Sequence, residues 1–240
     1  MAAVILSTRG LTRHFGGLKA VDEVDFDLAQ GDIHALIGPN GAGKTTFVSL
    51  LSGRTAAQSG TITLAGRDIT RLPAHARVRA GIAYTFQITS IYPRLTAFDN
   101  VALAVQRQSP RDLASATMTA LARTGLADRA QHVAGTLSYG HQRLLEVTMG
   151  LALSPRVLIL DEPTQGLAAS EIGGFKTLIR ALPPATTVLL IEHNMEVVMD
   201  LADRITVLNF GRRLATGTPA QIRANPAVQA AYLGTPHAAA

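Results

Sequence analysis

The sequence predicts an α/β core of parallel strands, strand-rich near its start and carrying an inserted block of helices. Three observations predict it. The stretch "GPNGAGKT", Gly38–Thr45, sits between a five-residue strand pattern, "IHALI", and a helix-forming one. After Pro155, strands of the buried type alternate with helices. Between Thr96 and about Leu153 helix formers dominate instead.

Taken in order, "VDFDL" (24–28) alternates apolar and acidic residues, as a half-buried strand does. "QGD" is a turn, and "IHALI" (33–37) is a strand that runs straight into the glycine loop. "KTTFVSLLSG" reads as a helix that stops at Gly53. "GTITLAGRDI" reads as a hairpin turning at Ala65-Gly66. A short helix follows Pro73, and "GIAYTFQ" is a strand ending at Gln87. The helical block has breaks at "QSPRD", at Gly125 and at "HVAGTLS". Then come the strand "RVLIL", the helix "EIGGFKTLIRAL", the strand "TTVLLIE", the helix "NMEVVMDLA" and the strand "RITVLNFG". The tail "TPAQIRANPAVQAAYLGTPHAAA" offers one or two short helices. No internal repeat or low-complexity tract appears.

Bulk properties bound the function. The 240 residues are 47% hydrophobic and 16% charged, which favours a buried core over disorder. With no cysteine, thiolate metal sites and disulfides are excluded. The first residues lack the basic start and long apolar run of a signal peptide, and no run approaches the roughly 20 residues of a bilayer span. Net charge is +5. The basic residues are scattered without aromatic interleaving, so solubility and affinity for a polyanionic ligand are expected rather than nucleic acid; an anionic membrane surface is the other reading.

The glycine loop fits G-x-x-x-x-G-K-[ST], a phosphate loop. Glycines let backbone amides turn inward around a phosphate, and the following helix presents its N-terminus to the anion. Lys44 adds a mobile cation, and Thr45 offers a hydroxyl to Mg²⁺. In "RVLILDEPTQG", four apolar residues bring Asp161 to the carboxyl end of a central strand, where α/β sheets bind ligands. Asp161 suits a Mg²⁺ contact through water, and Glu162 suits a general base. His193 in "LLIEHNM" and Gln87 also end strands. His193 can hydrogen-bond a γ-phosphate or the attacking water, and Gln87 can touch Mg²⁺ or its water. Gln87 serves equally as a solvated strand end, and a lone histidine after a strand is most often structural or solvated. The stretch "TLSYGHQRLLE" holds a second anion-binding device, a helix start with Ser138 as cap and Gly140 leaving amides open.

These pieces in this order resemble the ATP-binding-cassette ATPases, from about Val4 to Gly217. "GPNGAGKTT" looks like their phosphate loop, "FQ" their glutamine loop, "LSYGH" their signature, "LILDEP" their magnesium strand and "IEH" their histidine switch. The resemblance implies the ABC ATPase fold, a P-loop NTPase (RecA-like) core with an antiparallel β subdomain and an inserted α-helical subdomain, in one domain, residues 1–240. Residues 1–88 and 151–217 would form the RecA-like and β core, 89–150 the helical subdomain with the signature, and 218–240 a C-terminal tail. It also implies that ATP binds Phe15, Gly38, Pro39, Asn40, Gly41, Ala42, Gly43, Lys44, Thr45 and Thr46. Thr45, Gln87 and Asp161 would serve Mg²⁺, and Glu162 and His193 would be catalytic. Phe15 would stack on adenine; a strand-edge core role is the bland alternative. Ser138, Tyr139, Gly140 and His141 would contact ATP held by a partner subunit.

Two departures from the family pattern stand out. Tyr139 and His141 replace the usual glycine and glutamine of the signature. Ala168 stands where an aspartate is common, so communication between the two sites is in question. Finer features, among them "FGGLKAVDEVDF", "LSYGHQRLLEV" and "NPAVQAAYLG", resemble the ATPase subunits of bacterial branched-chain amino acid importers, whose relatives handle other amides. That resemblance implies two transmembrane permease subunits, a second ABC ATPase subunit in a homodimer or heterodimer, and a periplasmic binding protein acting indirectly. It places the chain on the cytoplasmic face of the inner membrane, with "QITSIYPRLTAFDN" lining the permease groove. Lipopolysaccharide-export ATPases share some features, and a soluble cassette acting on nucleic acid or ribosomes is the other alternative. Cargo is not encoded in such a chain.

Overall fold

The computed structural model describes residues 3–85, 90–108, 111–182, 184 and 186–233. Two sheets, with helices packed between and around them, make up the described chain. Strands β1 (Val4–Phe15), β2 (Leu18–Ala29), β4 (Ser59–Leu64) and β5 (Arg67–Asp68) form an antiparallel sheet in the order β2-β1-β4-β5. Strands β3 (Ile33–Ile37), β6 (Ile82–Thr85), β7 (Val157–Asp161), β8 (Thr187–Ile191), β9 (Arg204–Asn209) and β10 (Arg212–Gly217) form the second sheet, ordered β10-β9-β3-β8-β7-β6. Only the β9–β10 pairing in that sheet is antiparallel. All five residues of β3, β7 and β8 are buried, as parallel strands covered on both faces must be.

Helix α1 (Lys44–Ser52) lies between the sheets. Its Phe47, Val48, Leu50 and Leu51 join Phe26 and Ile62 of the first sheet to Val157, Ile159 and Leu189 of the second in one apolar cluster. Arg77, on α2 (Ala74–Ala80), is buried and donates to the carbonyls of Leu50, Leu51, Leu72 and Thr70. It thereby satisfies the C-terminal end of α1, where a cation is favoured. The opposite face of the parallel sheet, through Leu158, Leu160, Val188 and Leu190, packs on α6 (Ala169–Arg180) and α7 (Met195–Leu201).

Helices α3 (Ala97–Val105), α4 (Leu113–Arg123) and α5 (Tyr139–Ala152) build a cluster of their own around Val101, Leu121 and Leu145. The other face of α5 contributes Val147 and Leu151 to the core cluster, so this one helix serves both. At the end, α8 (Pro219–Arg223) and α9 (Pro226–Leu233) place Ile222 and Val228 against β3 and β9.

Three boundaries differ from the sequence reading. The strand seen in "VDFDL" runs from Leu18 to Ala29, because it pairs along its length with β1, which the sequence did not single out. The strand read through Gly211 stops at Asn209. There Phe210 (φ 46°) and Gly211 (φ 77°) turn the chain back into β10, and a glycine is the natural residue for the second position. Helix α6 begins two residues earlier than read, at Ala169.

Candidate functional site

The phosphate loop leaves β3 at Gly38 and enters α1 at Lys44. Two glycines are fixed by contact as well as conformation. At Gly38 (φ 155°) a Cβ would lie 2.3 Å from the Leu208 carbonyl, and at Gly43 (φ 98°) 2.1 Å from that of Ala20. Gly43 is the N-cap of α1 and provides no side-chain cap. The first-turn amides are therefore available to an anion. Lys44 is buried, and its Nζ donates to the carbonyl oxygens of Gly38 (2.7 Å) and Pro39 (3.1 Å). Burial lowers its pKa, while Glu162 and Asp161 act in the opposite direction.

Asn40, Gly41, Ala42, Gly43, Lys44, Thr45, Thr46, Glu162 and His193 line one cavity of about 410 Å³. Leu18 and Ala20 from β2 close its side. Phe15 ends β1 opposite Leu18, 47% exposed, with the Arg13 guanidinium 4.7 Å from its ring centroid. Its exposure removes the strand-edge core reading.

Asp161 ends β7 and is 3% exposed; Tyr84 Oη, on the neighbouring strand β6, donates to its Oδ2 at 2.5 Å. Burial raises the Asp161 pKa, opposed by the Tyr84 hydrogen bond. Burial and the neighbouring carboxylate also push the Tyr84 phenol upward. Glu162 takes a left-handed conformation (φ 48°), rare for a residue with a side chain, and its amide donates to Ile191 O at 2.8 Å. Such strain collects at functional sites. The bend brings Glu162 Oε1 to 2.6 Å from His193 Nε2.

Sequence reasoning missed the residue that holds these two loops in register. Glu192 is buried; its Oε1 accepts from Thr164 N (2.9 Å) and Oγ1 (2.6 Å), and its Oε2 from His193 N (3.0 Å) and Asn194 N (3.3 Å). The signal was an acid directly after the fully buried "LLI". Tyr84 was missed for a different reason, since "IAYT" reads as an ordinary strand.

The signature residues form a separate group. Ser138 caps α5, accepting from His141 N at 3.3 Å, and its Oγ lies 2.7 Å from His141 Nδ1. Burial and Arg129 lower the His141 pKa, against Glu171. Gly140 is buried under Glu171: a Cβ there would lie 2.1 Å from Glu171 Oε1. The other Glu171 oxygen accepts from Ala168 N at 2.9 Å. Ala168, at the N-cap of α6, has no oxygen to cap that helix, and Glu171 reaches back in its place. Tyr139 is exposed. Among the residues lining the phosphate-loop cavity, none belongs to this group. Gln87 lies outside the described residues.

The chain has relatives throughout. A match to the ABC transporter family covers residues 21–165, and one to the C-terminal region of branched-chain amino acid ATP-binding cassette transporters covers residues 212–238. The high-affinity branched-chain amino acid transport ATP-binding protein BraF of Pseudomonas aeruginosa is 40% identical over 98% of this chain and 99% of its own. LivG of Salmonella typhimurium, described in the same words, matches to the same extent. Among solved structures, the ADP conformation of an ATP-binding cassette of an ABC transporter superposes with a TM-score of 0.86, at 25% identity, over 97% of this chain and all of that one. The phosphate loop, the Asp161-Glu162 strand end and the full-length likeness agree, and the chain belongs to the ABC transporter family.

Proposed function

We propose that this chain is the ATP-binding and ATP-hydrolysing subunit of an importer for branched-chain amino acids or related amides. The observation that carries the chemistry is the contact of Glu162 with His193 on the rim of the phosphate-loop cavity. Glu162 is then the general base that orients and deprotonates water, and His193 holds it and the γ-phosphate geometry. Lys44 and the first amides of α1 receive the β and γ oxygens, and Phe15 stacks on adenine. The names borne by the 40%-identical relatives support the cargo class over the export-type and soluble alternatives.

Magnesium takes hard oxygen donors and keeps much of its water, so few protein ligands are required. Thr45 and the buried Asp161, with one carboxylate oxygen held by Tyr84, fit that demand. Thr45 would offer its hydroxyl and Asp161 a contact through water, joined by Gln87. When bound, the ion supplies positive charge to the phosphate oxygens.

A single phosphate-loop face leaves a γ-phosphate wet. A second helix N-terminus would complete its charge-stabilising shell. The proposed partner is therefore another cassette, whose signature faces this loop while Ser138, Tyr139, Gly140 and His141 face its nucleotide. Closure of the pair would move permeases docked on the helical block, residues 89–150, and loss of the bridging phosphate would reopen it. A groove of about 320 Å³ lined by Tyr84, Ser90, Ile91, Tyr92, Glu146 and Met149 supports a permease docking place there. Among the described residues no helix is long and apolar enough to cross a membrane. The likeness to branched-chain amino acid transport ATP-binding proteins supports two permease subunits, a periplasmic binding protein acting indirectly and a peripheral place on the cytoplasmic face of the membrane.

The test is Glu162→Gln. Turnover should fall by about 10²–10⁴-fold, the usual worth of a positioned base, while ATP still binds. Turnover at the parental rate would remove Glu162 from that role.

A further inference from the structure

We propose that Tyr84 is a positioning residue for the Asp161 carboxylate and sets how tightly Mg²⁺ is held with the nucleotide. This rests on the reading of Asp161 as the metal contact. Tyr84 and Asp161 stand on paired neighbouring strands. The phenol donates to Asp161 Oδ2 at 2.5 Å. The ring is itself clamped: the Arg54 guanidinium lies 4.8 Å from its centroid, and Arg54 Nη2 donates to Ser49 Oγ of α1 at 3.0 Å. Tyr84 also packs against the apolar cluster around α1. The phosphate-loop helix is thus linked through Arg54 and Tyr84 to one oxygen of Asp161.

A strand-end carboxylate without such a partner is free to rotate about its side-chain bonds. A hydrogen bond to one oxygen fixes the rotation and leaves the second oxygen aimed for the water shell of a cation. Partners of this kind, one step removed from a metal, commonly govern affinity by 10–100-fold. Neither Tyr84 nor Arg54 touches the nucleotide in this account; both act through Asp161.

The experiment is calorimetric titration of ADP into the full-length chain, with Mg²⁺ and with a chelator, for the parent, Tyr84→Phe and Asp161→Asn. Phenylalanine keeps the ring and its packing and removes only the hydroxyl. Tyr84→Phe should leave Mg²⁺-free ADP affinity within about twofold and cut the gain that Mg²⁺ confers by about tenfold. An unchanged gain overturns the proposal. So does a larger one, which would make the phenol a competitor of the cation, and so does an equal loss without Mg²⁺, which would make Tyr84 merely structural. Asp161→Asn separates the two layers: an undiminished gain in that variant removes the metal reading itself. Loss there with none in Tyr84→Phe removes Tyr84 alone.

Discussion

The chain has two glycine-bearing helix starts suited to anions, and they are finished in opposite ways. At α1 the cap is Gly43, which brings no side chain, and the amides open into the cavity that Glu162 and His193 also line. At α5 the cap is Ser138, whose hydroxyl is engaged with His141 at both its amide and its Nδ1, while Glu171 lies over Gly140. The first end is open to a ligand held against the same chain's Glu162 and His193. The second is satisfied by its own side chains until something stronger replaces them. On the proposed reading, the same backbone device serves as a site in one place and as a complementary surface in the other, and the side chains around it decide which.

The comparison can be sharpened first through pH. His34 is buried on β3, the strand that delivers the phosphate loop; its Nε2 lies 2.8 Å from Thr206 Oγ1. Burial, with Arg204, depresses its pKa from 6.5 to about 4. The unfolded chain then takes up a proton before the folded one does. Stability is complete above about pH 6.5, falls as pH drops, and levels below about 4, for a loss of about 3 kcal/mol. Denaturant titrations across that window should show the loss, and His34→Gln should flatten it. A parental slope in His34→Gln would assign the acid sensitivity elsewhere.

Next in size is Lys44→Ala. Charge-assisted hydrogen bonds contribute about 1.5–3 kcal/mol each. Nucleotide affinity by calorimetry should fall by about 10–100-fold, and unchanged binding would separate the open helix end from phosphate recognition.

The smallest effect is at the closed end. Ser138→Ala removes a cap and should lower stability by about 1 kcal/mol in thermal or denaturant unfolding. ADP affinity of the isolated chain should stay at the parental value, because Ser138 does not line the phosphate-loop cavity. A matching loss of affinity would join the two ends in one chain.

Much of this was legible in the sequence because short-range chemistry dictates it. A glycine loop between "IHALI" and "KTTF" can hardly be other than a strand-loop-helix phosphate site, and Asp161 after "VLIL" marks a buried strand end. What could not be read depends on pairing between distant segments. Strand β1 alternates poorly, and its pairing with β2 is broken by register shifts, so its pattern is blurred. The β9–β10 turn required Phe210 in a left-handed conformation, which no residue preference announces. Tyr84 looked like an ordinary strand residue and Glu192 only like an acid at a strand end, because their importance lies in partners 77 and 28 residues away, Asp161 and Thr164. The replacement of Ala168 by Glu171 as the α6 cap needed the helix start itself, one residue beyond where the sequence located nothing but a missing acid.

The measurement that bears most directly on the account is ATP turnover per chain as chain concentration is raised, and again with the permease complex and any sister cassette supplied. If the open end of α1 in one subunit awaits the α5 end of another, turnover per chain climbs with concentration or partner. A dilute monomer already hydrolysing at the full rate, with no response to either, would contradict it.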